Sequence, residues 1–201
     1  MPTYPGDIPT PELKSIGSEL NDNISLTEIH LGSHFGTHID APQHFYPGGR
    51  NLSDFPLEYF FSTAICLIKP LVFNQSIFLT DNDQKIIAKQ KPDWLLIGTG
   101  FDQFWGQLKY FKNHPSLSLP LIGFLLENGV IGVGCDFPSI DSADAESCNF
   151  PVHHKWLGAE RMVIENLCNL TQLPVSVPFR LIALPLKMAT DGAPTRVVAI
   201  L

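Results

Sequence analysis

Residues 80–100 read T-D-N-D-Q-K-I-I-A-K-Q-K-P-D-W-L-L-I-G-T-G, a helix pattern running directly into a strand pattern. Asp81 to Gln90 predicts a helix, capped by Thr80 or Asp81 and closed before Pro92. Trp94 to Ile97 is a short apolar run that stops at Gly98-Thr99-Gly100, the pattern of a buried strand. The same alternation extends in both directions. Upstream, Thr63 to Ile68 reads as a buried strand, Phe55 to Phe61 as a short helix, and an extended run passes through Ile29 and Leu31. The stretch up to about Asn23 is rich in Pro and Gly and reads as loop and turn. Downstream, Leu119 to Asn128 predicts a helix with Gly129 as its stop, and Val130 to Val133 a buried strand. Met162 to Ile164, Phe179 to Leu186 and Arg196 to Leu201 supply further strands. Strands alternating with helices indicate an α/β domain. Their short, irregular spacing favours a mixed β-sheet or barrel-like core with flanking short helices over a regular doubly wound sheet.

The chain has 201 residues, enough for one domain spanning 1–201 with a core that needs no staples. Hydrophobic residues at 44% and charged residues at 16% describe a globular chain, and the sparse charge fits extra burial in an oligomer. A formal net charge of −7, with no Lys/Arg-rich run to offset it, argues against nucleic acid or an anionic membrane surface as partner. No apolar stretch approaches the roughly 20 residues of a membrane span. The opening M-P-T-Y-P-G-D has neither the basic head nor the apolar middle of a signal peptide, so a cytoplasmic location is expected. Cys66, Cys135, Cys148 and Cys168 are scattered without a C-x-x-C pair and read as buried thiols, not as a disulfide framework or zinc knot.

Chemistry concentrates in one run. His34, His38, Asp40 and His44 fall within H-F-G-T-H-I-D-A-P-Q-H, residues 34–44. In an extended strand His34 and His38 would stand about 13 Å apart, too far to share an ion. Gly36 allows the backbone to fold between them, and Pro42 sets the chain direction afterwards. His38 and Asp40, two apart, would project from one face of a strand. Imidazoles with a carboxylate suit zinc, manganese or iron, and three ligands leave a position open for water, the pattern of a catalytic centre that activates it. Elsewhere, Gly98-Thr99-Gly100 lacks the rest of a nucleotide loop, and no G-x-S-x-G elbow exists. Trp105, Tyr110 and Phe111 read as core or interface, and His30 and His114 as structural.

The run from His34 to His44 resembles the H-x-G-T-H-x-D-x-P-x-H motif of the cyclase-like metal hydrolases, the family of bacterial kynurenine formamidase (arylformamidase) and isatin hydrolase. The resemblance covers nearly the whole chain. Pro2 to Asp7 matches the opening P-x-[W/Y]-P-G-D, before which relatives carry a further strand, so an edge element is expected to be missing or the start misassigned. Gly134 to Asp141 matches G-x-D-x-x-S-I-D, and His153-His154, Glu165-Asn166-Leu167 and Asp191 to Arg196 follow in order. The family pattern implies a swivelling β/α architecture and a homodimer or larger assembly. It also implies two divalent ions per chain, with zinc preferred for both and manganese as the alternative. His34, His38 and Asp40 would hold the first; Asp40 would bridge to a second held by His153, with Glu165 touching both. Read without the family, His153 on a surface turn and Glu165 at a strand end would simply be solvated, and His154 could exchange with His153. His44 corresponds to the family's proton donor and acceptor, the alternative being a residue that orients a ligand. Tyr4 corresponds to the substrate-contacting aromatic, usually Trp, or else packs a turn between two prolines.

The resemblance therefore implies a metal-dependent amidohydrolase acting on a small molecule: an aryl formamide such as N-formylkynurenine, in tryptophan catabolism, or a cyclic amide such as isatin. The rival readings are a hydrolase or dehydratase of another small cyclic or carboxylic compound, and a metal-dependent binding protein without turnover. Retention of His44 beside every expected ligand favours the enzyme.

Overall fold

The computed structural model describes residues 10–17 and 25–201. Its centre is a closed barrel of seven strands. In chain order the strands of the protein are β1 (Glu12–Gly17), β2 (Ser25–His30), β3 (His38–Asp40), β4 (Phe61–Ile68), β5 (Ser76–Ile77) and β6 (Trp94–Gly98). Then come β7 (Ser116–Leu117), β8 (Gly132–Cys135), β9 (Met162–Glu165), β10 (Phe179–Pro185) and β11 (Gly192–Ile200). The helices are α1 (Asp81–Gln90), α2 (Leu108–Lys112), α3 (Leu119–Glu127) and α4 (Pro151–Leu157). Around the barrel the order is β10-β11-β3-β9-β8-β6-β4, closing back on β10. β4, β6, β8 and β9 run parallel, and every other joint is antiparallel.

Parallel neighbours need crossover connections, and α1, α2, α3 and α4 lie in those crossovers. This divides the apolar residues into two sets by strand alternation. Ile39, Ala64, Cys66, Trp94, Leu96, Met162, Ile164, Leu181 and Ala193 fill the barrel. The alternate residues Ile65, Leu67, Leu95, Ile97, Val133, Cys135 and Val163 face outward and meet Ile87 of α1, Leu121 and Leu125 of α3 and Trp156 of α4. β8 presents glycine to the interior. A Cβ on Gly132 would stand 2.4 Å from the Trp94 ring, so the largest interior side chain is accommodated because its neighbour has none. The Trp94 indole N–H is satisfied by the Tyr59 carbonyl at 2.9 Å.

The mixed, barrel-like α/β domain is as the sequence implies, and β4, β6, β9, α1 and α3 lie where their patterns predict, within a residue or two. Thr80 caps α1 by accepting the Asp83 N–H, while the Asp83 carboxylate accepts the Thr80 N–H. Several elements differ. The Pro/Gly-rich opening contains a strand, β1, which pairs with β2 in a hairpin separate from the barrel. The helix expected at Phe55 to Phe61 is a 3-10 turn at Leu57–Tyr59 followed directly by β4. β8 starts two residues later than its apolar run, because Ile131 donates to Asp93 before the parallel ladder begins. β11 starts at Gly192, not Arg196. Cys66 and Cys135 are buried, but Cys148 and Cys168 are exposed, lying in a 3-10 turn and a loop. Tyr110 and Phe111 belong to the core, with Trp105 packed against it. Among the described residues no helix is long and apolar enough to cross a membrane.

A methyl group at Gly132 has nowhere to go. Gly132→Ala is expected to cost about 1–3 kcal/mol, as overpacking does, read as a lower midpoint in urea unfolding with an unchanged slope. Wild-type stability in that variant would mean the Trp94 ring has room that the barrel does not show.

Candidate active site on the barrel wall

β3 is only three residues long, yet it decides the site. Ile39 points into the barrel, so His38 and Asp40 face outward, beneath α4. Across the antiparallel joint His38 is the register partner of Glu165, the last residue of β9. The turn leading into β3 is pinned to the end of β9. Gly36 has φ +66° there, the left-handed conformation the sequence anticipates. Thr37 Oγ1 donates to the Asn166 carbonyl at 2.6 Å, and Asn166 Nδ2 donates to the Gly36 carbonyl at 2.9 Å. That carbonyl also lies 2.9 Å from His38 Nδ1. A carbonyl only accepts, so His38 carries a proton on Nδ1 and turns Nε2 outward toward the carboxylates. Nε2 lies 3.2 Å from Asp40 Oδ1 and 3.6 Å from Glu165 Oε2.

His153 is arranged the same way from the other side. It lies on α4, not on a surface turn, and is 4% exposed. Asp141 caps α4, its Oδ1 accepting the Val152 N–H at 2.9 Å and its Oδ2 the His153 N–H at 2.8 Å. The same Oδ2 lies 2.7 Å from His153 Nδ1. Burial would raise the Asp141 carboxyl, but these donors hold it below its ordinary value. With Nδ1 occupied, His153 directs Nε2 at Glu165 Oε1, 3.3 Å away, and at Asp40 Oδ2, 3.8 Å away. Glu165 Oε1 also accepts the Ile140 N–H at 3.0 Å, and the Ile140 carbonyl accepts from Leu117 of β7. The Phe45 ring stacks parallel to His153 at 4.9 Å. Entry to α4 is strained: Asn149 and Phe150 have φ of +56° and +45°, immediately before Pro151. His154 is turned away, its ring nitrogens near the Tyr46 hydroxyl and the Asn149 amide.

His34 and His44 complete the cluster at its mouth. His34 Nδ1 lies 2.7 Å from Asp40 Oδ1 and its Nε2 lies 2.8 Å from Asp191 Oδ2. Its ring occupies space that a side chain at residue 192 would take: a Cβ on Gly192 would come within 2.6 Å of His34 Cε1. His44 closes the 3-10 turn Pro42–His44 and lies at the exposed rim, its Nδ1 3.1 Å from Asp191 Oδ2. The structure thus brings together His34, His38, Asp40, His44, His153 and Glu165 from the sequence reading. Tyr4 lies outside the described residues. Two further participants lie in sequence motifs that assign them no role: Asp141, in the S-I-D run, and Asp191, in D-G-A-P. His30 lies on exposed β2, and buried His114 stands near Pro115 with its Nε2 unpartnered.

The electrostatics are those of a cation site. Asp40 and Glu165 are buried, and among the described residues no Lys or Arg forms an ion pair with either. Burial alone would push the His34 and His153 imidazoles down, but the carboxylates around each outweigh it and push both up to about 10. His38 is likewise raised, against burial, by Asp40. Burial would raise Asp40, yet His34 and His38 hold it well below the usual carboxylate range. A divalent cation would displace those protons and satisfy the same carboxylates. Among the described residues three groups offer ligand atoms that lie within 4.8 Å of one another: His34, His38 and Asp40; Asp40, His153 and Glu165; and, at the mouth, His34, His44 and Asp191. The Gly36 carbonyl and Asp141, which accept the Nδ1–H of His38 and His153, are the outer partners that metal-binding histidines need. The donor set fits divalent ions.

Comparison with known proteins identifies relatives of the whole chain. A family model described as putative cyclase matches residues 1–142. An uncharacterised protein of Methanocaldococcus jannaschii is 32% identical over 199 residues, 98% of this chain and 92% of that one. Kynurenine formamidase of Bordetella petrii is 29% identical over 203 residues, covering 98% and 90%. Isatin hydrolase A from Labrenzia aggregata shares the fold, with a TM-score of 0.78 at 24% identity over 98% of this chain and 86% of that one. With 71% of its length matched by the family model, the chain belongs to the putative cyclase family.

Proposed function

We propose that this protein is a metal-dependent amidohydrolase that cleaves an aryl formamide or a small cyclic amide, with the whole of residues 1–201 as its hydrolase domain. The observation that carries this reading is the convergence of His38 Nε2 and His153 Nε2 on Asp40 and Glu165, with a further imidazole, His44, beside the cluster and outside the two ligand groups that contain Asp40. His34, His38 and Asp40 would hold one ion, and Asp40, His153 and Glu165 a second, with zinc preferred over manganese. Divalent ions in such a centre activate water and polarise an amide carbonyl. The chain's own contribution is to hold the ligands in register, exclude water from the inner face through Phe45 and α4, and move the proton. His44, at the rim, delivers it to the leaving nitrogen. Tyr4 would form part of the substrate wall. Support for the substrate class comes from relatives named kynurenine formamidase and isatin hydrolase. A hydrolysis screen of the zinc- or manganese-loaded protein against aryl formamides, cyclic amides and lactones tests the reading.

A homodimer in the cytoplasm completes the proposal. Among the described residues no helix lies over the outer face of the antiparallel half of the barrel, and Phe61, Val198 and Ile200 are about half exposed there. The β1–β2 hairpin exposes Leu13, Leu26 and Ile29. A two-stranded ribbon is marginal alone, and a second copy would cover both surfaces.

Because Asp40 contributes to both ligand groups, Asp40→Ala should abolish binding of both ions, measured by elemental analysis after loading. Loss of one ion alone would show that Asp40 is not shared. Imidazoles raised to about 10 are protonated at neutral pH, so metal binding should release protons there. Calorimetric titration in buffers of differing ionisation enthalpy measures this, and zero net release would contradict it. His44→Ala should retain both ions while turnover of an unactivated amide falls by roughly 10²–10⁴-fold, with a smaller loss for a substrate carrying a good leaving group. If that variant loses metal, His44 is a ligand. If it keeps both metal and rate, the proton comes from another group.

A further inference from the structure

Asp191 touches one proposed ligand and the proposed proton carrier at once. Its Oδ2 lies 2.8 Å from His34 Nε2 and 3.1 Å from His44 Nδ1, and its Oδ1 accepts from Ser33 Oγ at 3.0 Å. An ionised carboxylate only accepts, so each ring presents an N–H to it. His34 is thereby left with Nδ1 toward the buried Asp40, and His44 with Nε2 free of Asp191. The two rings lie 3.8 Å apart, centroid to centroid, at 32°, so they share one slot at the mouth. Asp191 itself is held by the barrel. Its carbonyl accepts the Ala41 N–H at 2.8 Å, and the next residue, Gly192, is the register partner of Asp40.

We propose that Asp191 is a positioning residue, which fixes the Nδ1–H tautomer and the orientation of His44 so that Nε2 handles the proton, and which ties His44 to the ring of His34. The nitrogen that bears the proton in a neutral imidazole is set by the hydrogen bond made on the other side. The inference rests on the reading in which His44 carries a proton, but its first test does not require turnover.

Zinc-loaded protein labelled with ¹⁵N at histidine reports each tautomer through long-range ¹H–¹⁵N correlation. His44 should appear as the Nδ1–H form and should move toward the Nε2–H form in Asp191→Ala. In the same variant, with both ions retained and KM unchanged, kcat should fall about 10–100-fold, the usual worth of such an outer partner. In a His44→Ala background the further change should cost little, because Asp191 acts through a ring no longer there. Ser33→Ala, which removes one hydrogen bond from the carboxylate at a half-buried position, should shift His44 in the same direction by less. An unchanged tautomer in both variants, loss of zinc in Asp191→Ala, or a full additional loss of rate without His44 would each overturn the assignment. A tautomer change in a protein that hydrolyses no formamide or cyclic amide would support Asp191 as the positioning residue and reject the hydrolase reading.

Discussion

Strand alternation at the antiparallel joint between β3 and β9 is the constraint on which the site depends. Ile39 and Ile164 are paired and both face the barrel interior, so His38, Asp40 and Glu165 must face out. A slip of one residue in β3 would drive an imidazole and a carboxylate into the space filled by Trp94, Leu96 and Ile164, and would expose Ile39. The apolar set therefore fixes the register, and the register fixes the ligands. This is how three residues of strand can hold two of them without help from local sequence.

Burying this many titratable groups is costly unless each has an acceptor, a donor or a counter-charge. The structure meets that requirement from outside the cluster. The Gly36 carbonyl takes the His38 proton, Asp141 takes that of His153, and the Ile140 N–H supports Glu165. These supports are themselves tied to distant elements: Gly36 to Asn166, Ile140 to β7, Asp141 to the first turn of α4. Left-handed backbone at Asn149, Phe150 and Asn166 surrounds the same centre. Strain of this kind persists only where packing over-determines it, and here Phe45 and the capped start of α4 do so.

The two halves of the barrel have different surroundings for one reason. Parallel neighbours require crossovers, so β4, β6, β8 and β9 acquire helices on their outer face, while β10 and β11, joined antiparallel, do not. α4 is the crossover into β9, so His153 is carried directly over Glu165 as a consequence of topology. The uncovered half leaves Phe61 beside Ile182 and Ile182 beside Val198, an apolar stripe across three strands.

Local patterns in the sequence determined much of this protein. The α1 cap at Thr80, the runs that become β4, β6 and β9, the Gly36 turn and the shared face of His38 and Asp40 follow from period, sterics and turn chemistry over a few residues. The dense run from His34 to His44 marked the chemistry for the same reason. Other features depend on partners in other elements, some of them more than a hundred residues away. His153 read alone is a surface histidine; it becomes a buried one because α4 crosses above β3. Asp191 and Asp141 stand in recognisable motifs that give them no role, and their roles exist only where β11 meets β3 and where α4 begins. β1 lies in a Pro/Gly-rich opening and is a strand only because β2 pairs with it. Cys148 and Cys168 look like the buried cysteines, but fall in a turn and a loop that the barrel leaves at the surface. Periodicity and turn propensity are encoded over neighbouring residues, whereas register, crossover and hydrogen-bond partnership are decided only when the barrel closes.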